Sequence, residues 1–335
     1  MRLNLLPQEA FMKVRFFGIG VALCLALLCV SGAALAKVSL KLGHTGAPNH
    51  HYHLTCEMFA EAVKKSSNGE IEITVFPSDQ LGTQRQHVEA IQIGTGDMVL
   101  TSDSQLSSFI DVYGVLNLPF LFRDIDHVAK AMDGEVGDFF GKEAEKKGIV
   151  ILGNWENGFR HVSNSKRPIE KLDDLKGLKL RTPNSQVTLE SFRALGALPT
   201  PMGFGEIYSA LQLGTVDGQE NPVAHILTQK WYEVQKFFSL TNHQHNVEPL
   251  CMSKIIFDAL KPEHKKILIE EGRKFAPVSR KMVMDDEGQQ LEELKTKIAV
   301  NAVADLVPFR EACKPVYDNA RKTYGDIVDR ILAVK

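Results

Sequence analysis

Two arginines occupy positions suited to holding an anion. Arg160 closes Asn157-Gly158-Phe159-Arg160 just past the apolar residues 149–152, and Arg181 ends Leu178-Lys179-Leu180-Arg181 ahead of Thr182-Pro183. Both read as cations at strand ends, where a side chain leaves the sheet and faces the crevice that open α/β sheets use for ligands. A guanidinium grips a carboxylate through two parallel charge-assisted hydrogen bonds. Taken singly, each arginine is as well explained as a surface residue paired with some acid. The two together, beside Gly158 and Pro183, predict a shared site for a small acidic molecule.

Neighbouring segments fit such a site. Asp217-Gly218-Gln219-Glu220-Asn221-Pro222 reads as a turn entering a helix, with Asn221 at the N-cap, where a side-chain amide and free backbone N–H groups favour an anion. Phe204, among the glycines of Pro201-Met202-Gly203-Phe204-Gly205, and Trp155 and Phe159 are by base rate core aromatics. Flanking the arginines, they would exclude water and strengthen the ion pair by lowering the local dielectric. The histidines at 50, 51, 53, 243 and 245 lack supporting carboxylates or thiols at ligand spacing, so no metal site is expected. No nucleophile elbow, phosphate-cradling loop or dinucleotide fingerprint is present, and Asp285-Asp286-Glu287 reads as a solvated helix face. Neither catalysis nor a cofactor is expected.

The elements that must position these residues alternate. A first strand at residues 38–43 precedes a helix over 53–66, with Leu54, Met58, Phe59, Ala62 and Val63 on one face, and a strand over 71–75. A helix near 84–94, a strand at 98–101, a helix from Ile125 and a strand at 149–152 continue the pattern. From Lys179 the same grammar repeats: strand, helix capped at Asn184 or Ser185, short strand, helix over 206–213. A helical stretch toward Val234, strands at 237–241 and 247–252, and a mostly helical tail from Pro262 with a short strand at 299–303 complete the chain. This predicts two α/β units with mainly parallel sheets, joined by a hinge.

Lys13 and Arg15, an apolar run over 16–30 and Ala34-Leu35-Ala36 form an export signal ending at Ala36, with Met12 an alternative start. The run is short for a membrane anchor and lacks a basic flank after it. Its removal takes away Arg2, Lys13, Arg15 and Glu9, which moves the formal charge from −2 further to the acidic side. That does not suit a nucleic-acid binder. The remaining Cys56, Cys251 and Cys313 are too few for a disulfide framework and sit among apolar residues, as small buried hydrophobes do.

Phe76-Pro77 with Gln80-Leu81-Gly82, Gly158-Phe159-Arg160, the stretch from Asp174 to Arg181, Pro199-Thr200-Pro201-Met202 and the stretch from Asp217 to Pro222 carry a family likeness. In that order and spacing they resemble the substrate-binding proteins of tripartite ATP-independent periplasmic (TRAP) transporters, the DctP family. The likeness covers essentially all of the chain after the signal. It implies a two-lobed periplasmic receptor that closes on an organic acid and delivers it to small and large membrane subunits of a permease. The resemblance makes Arg181 the main carboxylate-binding residue, Arg160 a second cation, Asn221 a carboxylate partner and Phe204 an aromatic wall. Gln84 and Ser102 stand where sialic-acid receptors carry acidic residues, and Thr45 lies near another contact. Those departures argue against sialic acid and leave C4-dicarboxylates, uronic and other sugar acids, 2-oxo acids and aromatic acids open. Carried over from the family, lobe one spans 37–157 plus 247–288 and lobe two 158–246 plus 289–335. The chain is expected to act as a monomer. The rival readings are an exported hydrolase or lyase for an acidic sugar, with Glu156 or Glu220 as the acid, and a receptor for another transporter or sensor.

Overall fold

A strand that alternates buried and exposed residues, followed by a capped amphipathic helix, opens the fold. The computed structural model describes residues 37–335, so the signal expected at 1–36 lies outside the described residues. Strand β1 (Val38–Gly43) leads to helix α1 (His51–Ser66), whose N-cap His50 accepts the Tyr52 N–H and whose buried face carries Cys56, Phe59 and Val63. Strand β2 (Ile71–Phe76) follows. Thr83 then starts helix α2 (Gln84–Ile93) through a reciprocal capping box with Gln86, and Gly94, left-handed at φ 78°, ends it. The short β3 (Met98–Leu100) is buried throughout.

Two long strands run through the middle of the molecule. β4 (Ile149–Asn164) and β8 (Phe237–Ser253) pair antiparallel from Ile149 opposite Ser253 to Asn164 opposite Phe237. Between them in sequence lie β5 (Lys179–Thr182), helix α3 (Gln186–Ala194), β6 (Leu198–Pro201), β7 (Gly218–Asn221) and helix α4 (Val223–Thr228). After β8 come the 34-residue helix α5 (Pro262–Lys295), β9 (Ala299–Ala302) and a helical C-terminus. The described residues form one nine-stranded sheet in the order β2-β1-β3-β8-β4-β7-β5-β6, with β9 on β8. Parallel pairs flank it (β1 with β3, β5 with β6 and β7, β8 with β9), and the centre, β3-β8-β4-β7, is antiparallel.

The mixed α/β reading with mainly parallel pairing therefore holds. The sequence shows short strands at 149–152, 237–241 and 247–252 where the structure has two continuous ones. Their polar middles, Asn157, Arg160, Gln244 and Asn246, are all at most 3% exposed. Hydrophobic alternation fails there because these side chains bond to other buried groups instead of to solvent: Arg160 to Glu220 and Asn246, Asn157 to His225 and Gln244 to Thr188.

Residues 39–335 make one compact unit. Within it, one apolar cluster gathers Val88, Ile91, Tyr113 and Phe140 around β3 and the start of β4. A second holds Val162, Leu180, Phe192 and Phe309, and a third Ile207, Ile226, Trp231 and Phe238. The C-terminal helices divide between them: Phe309 and Cys313 pack into the second cluster, and Val316, Ala320, Ile327 and Ile331 into the first. Helix α5 crosses β4 so closely that a Cβ on Gly153 would stand 2.3 Å from the Gly272 carbonyl oxygen, and one on Gly272 2.5 Å from that of Leu152. Only glycine permits that approach at either position. Among the described residues no helix is long and apolar enough to cross a membrane.

Candidate ligand-binding site

Strand ends and loops facing the centre of the sheet enclose about 330 Å³ of space between atoms, part of it open to solvent. Seven of the residues singled out in the sequence line it: Arg181, Arg160, Asn221, Phe204, Gln84, Ser102 and Thr45.

Arg181 is the third residue of β5 and 4% exposed. Its Nε and Nη2 both donate to the Met202 carbonyl oxygen, at 3.0 and 2.7 Å, which fixes the guanidinium and leaves Nη1 without a protein partner. No carboxylate stands within ion-pair distance of it among the described residues. Burial pulls its pKa down to about 9, against the more distant pull of Glu220 and with the added push of Arg160. A desolvated cation without a counter-ion is costly unless a guest supplies the anion.

Arg160 is differently placed from the sequence expectation. It sits inside β4, at a register shift rather than at a strand end, and its charge is already taken. Nε donates to Glu220 Oε2 at 2.5 Å, Nη2 to Glu220 Oε1 at 2.8 Å and to the Glu220 carbonyl at 2.5 Å, and Nη1 to Asn246 Oδ1 at 2.5 Å. Burial would raise the Glu220 pKa, but the Arg160 charge and hydrogen bonds from His243 and Arg160 overcome it and hold the carboxyl at about 2. The shared pair of cations expected from the sequence thus reduces to one free cation, Arg181, beside a neutralised ion pair. Asn246 is braced in turn by Asp103 and by the Ser104 hydroxyl. Burial raises Asp103 to about 6 against the opposing hydrogen bond from the Val247 N–H.

Asn221 is the last residue of β7, paired with His161, and Pro222 occupies the N-cap of α4 without a side-chain cap. The expected N-cap role for Asn221 therefore falls away. Its Nδ2 donates to Gln219 Oε1 at 2.6 Å, and the side chain lines the cavity from the sheet. Phe204 meets His225 and Trp231 with ring centroids at 5.2 and 5.4 Å and makes an apolar wall. Trp155, also expected at the site, lies outside the lining. It is 1% exposed, packs between Phe59 and Phe275, and donates from Nε1 to the Gly272 carbonyl at 2.9 Å. Position within β4 decides this: Trp155 points to the α1–α5 side, while the bulge between Glu156 and Gly158 brings Asn157 to the cavity.

The lining also holds Tyr52, Ser104, Asn157, Pro183, His225, Asn246 and Glu248, which the sequence reading did not single out. One signal was present: Gln244, Asn246 and Glu248 recur with period two, the spacing of one strand face. His225 Nε2 is 3.0 Å from Asn157 Oδ1, and its ring stacks on His50 at 4.3 Å. Burial, and then the charges of neighbouring groups, push His50 and His225 well below the ordinary histidine range, and burial takes His51 to about 4. The histidine cluster is thus a neutral packed stack behind the cavity. Among the described residues no group of three or more His, Cys, Asp or Glu is placed to hold a metal ion. Cys56, Cys251 and Cys313 are buried and free. Glu220 is fully paired, and Glu156, which accepts the Gly158 N–H at 2.7 Å and lies 2.6 Å from His245, is outside the lining. Neither is placed as a general acid facing the cavity.

The profile of the family described as bacterial extracellular solute-binding protein, family 7 (DctP), matches residues 42–323. The chain belongs to this family. It is 35% identical over 280 residues to the 2,3-diketo-L-gulonate-binding periplasmic protein YiaO of Escherichia coli, covering 84% of this chain and 85% of that protein. A TRAP periplasmic solute-binding protein from Polaromonas sp. JS666, solved with bound D-erythronate, is 39% identical, superposes with a TM-score of 0.87 and covers 89% of this chain and 99% of its own. Another from Sulfurospirillum deleyianum, with bound succinate, is 31% identical with a TM-score of 0.84 and covers 90% and 100%. As a DctP-family solute-binding protein, the chain shares the two-lobed architecture of these relatives, which are named for binding rather than for catalysis.

Proposed function

We propose that this protein is the periplasmic receptor of a TRAP transporter that captures a small organic acid, with the carboxylate held by Arg181 and assisted by Asn221 and Arg160. The single observation that carries this reading is Arg181: buried, charged, fixed by Met202 and without an anionic partner among the described residues, on the wall of the central cavity. Phe204 excludes water from the ion pair, and Gln84, Ser102 and Thr45 contribute polar contacts from the facing wall. The export signal at 1–36 delivers the chain to the periplasm, where it acts as a monomer and passes its ligand to the small and large membrane subunits.

Closure between lobes divided near Asn157/Gly158 and Asn246/Val247 fits the strand irregularity at this place. The β4–β8 register shifts between Glu156 and Gly158, Gly158 adopts φ 111°, and it pairs with Asn246. Seven lining residues come from each side of that division. The C-terminal helices, which pack on both halves, then tie the lobes together away from the opening.

A thermal-shift screen of organic acids on the purified protein, followed by titration calorimetry, tests the proposal, since a ligand of the folded state raises the melting temperature by mass action. A carboxylate that stabilises the protein and is recovered unchanged after hours of incubation is the expected result. Conversion of the bound acid, or no response to any carboxylate, contradicts it.

A further inference from the structure

Two polar groups on the cavity wall have no partner. Glu248 is 1% exposed, and neither of its carboxyl oxygens is hydrogen-bonded within the protein. The Tyr52 hydroxyl is near enough to favour its charged form but falls outside hydrogen-bond geometry. His225 is 2% exposed; with Nε2 committed to Asn157, its Nδ1 is left without a partner. Buried polar atoms are nearly always satisfied, so orphans on a cavity wall call for an occupant.

The charges restrict what that occupant is. Arg160 is neutralised by Glu220, which leaves Arg181 as the one cation of the lining available to a guest among the described residues. A monocarboxylate balances it. A second carboxylate would find no free cation and would stand desolvated beside the Glu248 carboxyl without a counter-charge. A hydroxyl avoids this conflict, because it donates to an acceptor such as His225 Nδ1 and also accepts from a neutral carboxyl.

We propose that Glu248 and His225 form a second subsite, which takes hydroxyl groups of the guest and selects polyhydroxy monocarboxylates over dicarboxylates. This rests on the assignment of Arg181 as the carboxylate anchor. Burial agrees with it: it pushes the Glu248 carboxyl well above its ordinary range and the His225 ring well below, favouring the neutral form of each. Ser102, Ser104 and Thr45 add hydroxyls to the same cavity.

Titration calorimetry on the ligand-free protein, pairing each hydroxy acid with a diacid of equal chain length, provides the test: D-erythronate against succinate and D-galactonate against adipate. At least one hydroxy acid is expected to bind at least about 100-fold more tightly than its paired diacid, short of the roughly 10⁴-fold or more by which a site built for hydroxyls rejects a guest lacking them. Glu248→Leu is expected to weaken that hydroxy acid at least tenfold and to raise the melting temperature of the empty protein, because it removes an unsatisfied buried carboxyl. A role confined to structure would lower the melting temperature and spare selectivity. Diacids that bind as tightly as the hydroxy acids overturn the subsite and leave the Arg181 reading standing. Should Glu248→Leu fail to fold, the wild-type comparison decides alone. Failure of all four acids to bind overturns the subsite alone, whereas binding that survives Arg181→Ala sinks the parent reading together with this one.

Discussion

Replacing Arg181 by methionine should stabilise the empty protein while destroying the liganded state. Methionine keeps much of the length of the side chain and removes its charge. In the folded protein burial, the main cause, pulls the Arg181 pKa down to about 9, well below the ordinary arginine value. That difference corresponds to roughly 5 kcal/mol of charge desolvation, an upper bound on the gain because relaxation and water entry absorb part of it. At any pH below about 9 the folded protein holds the full charge, so the gain should be constant from pH 6 to 8. With ligand bound the sign reverses, since removing one partner of a desolvated ion pair costs about 3–5 kcal/mol, or two to four decades in affinity. Thermal melts of wild type and Arg181→Met, each with and without the acid that most stabilises wild type, measure both effects. A variant less stable than wild type when empty, or one that binds the acid within a few-fold of wild type, refutes the assignment.

Other consequences are open to measurement. Glu220→Gln strands Arg160 in the interior, and urea unfolding should show a loss of about 3–5 kcal/mol. Trp155→Phe should leave the dissociation constant within about threefold while lowering stability by roughly 1–3 kcal/mol, since that ring serves the core and its N–H bond to Gly272 is lost; a large affinity change would return Trp155 to the site. The neutral histidines predict acid lability. A histidine whose folded pKa is depressed gives stability that is fully present above 6.5 and is lost as pH falls, down to about 4 for His51 and about 3 for His44. His51 alone is worth roughly 3 kcal/mol across that window. Asp103, raised to about 6, acts in the opposite direction, so the decisive observation is a shallower pH dependence of the melting temperature in His51→Gln than in wild type.

Much of the fold was legible because its signals are local. The helix ending at Gly94 and the start at Ser185 are written in short segments, and the structure places them accordingly. The central strands were not, because β4 and β8 carry buried polar residues whose satisfaction depends on partners 60 to 86 positions away, as with Arg160 to Glu220 and Asn246. The same distance hid the neutralisation of Arg160: no local pattern reveals that a carboxylate returns from β7 to occupy it. The place of Arg181 on the cavity wall was readable because its surroundings, the end of β5 before Pro183, are local. Trp155 misled because two residues apart on a regular strand it would share a face with Asn157, and only the bulge between Glu156 and Gly158 sends the two to different sides. Glu248 lay within a visible alternation, but its lack of a partner is a property of the folded packing alone.

A crystal structure of the protein with its most stabilising acid tests the central claim most directly. A carboxylate oxygen about 3 Å from Arg181 Nη1, the nitrogen that has no protein partner, is the predicted result. A carboxylate seated elsewhere, with Arg181 turned to solvent or paired to a protein acid, would contradict it.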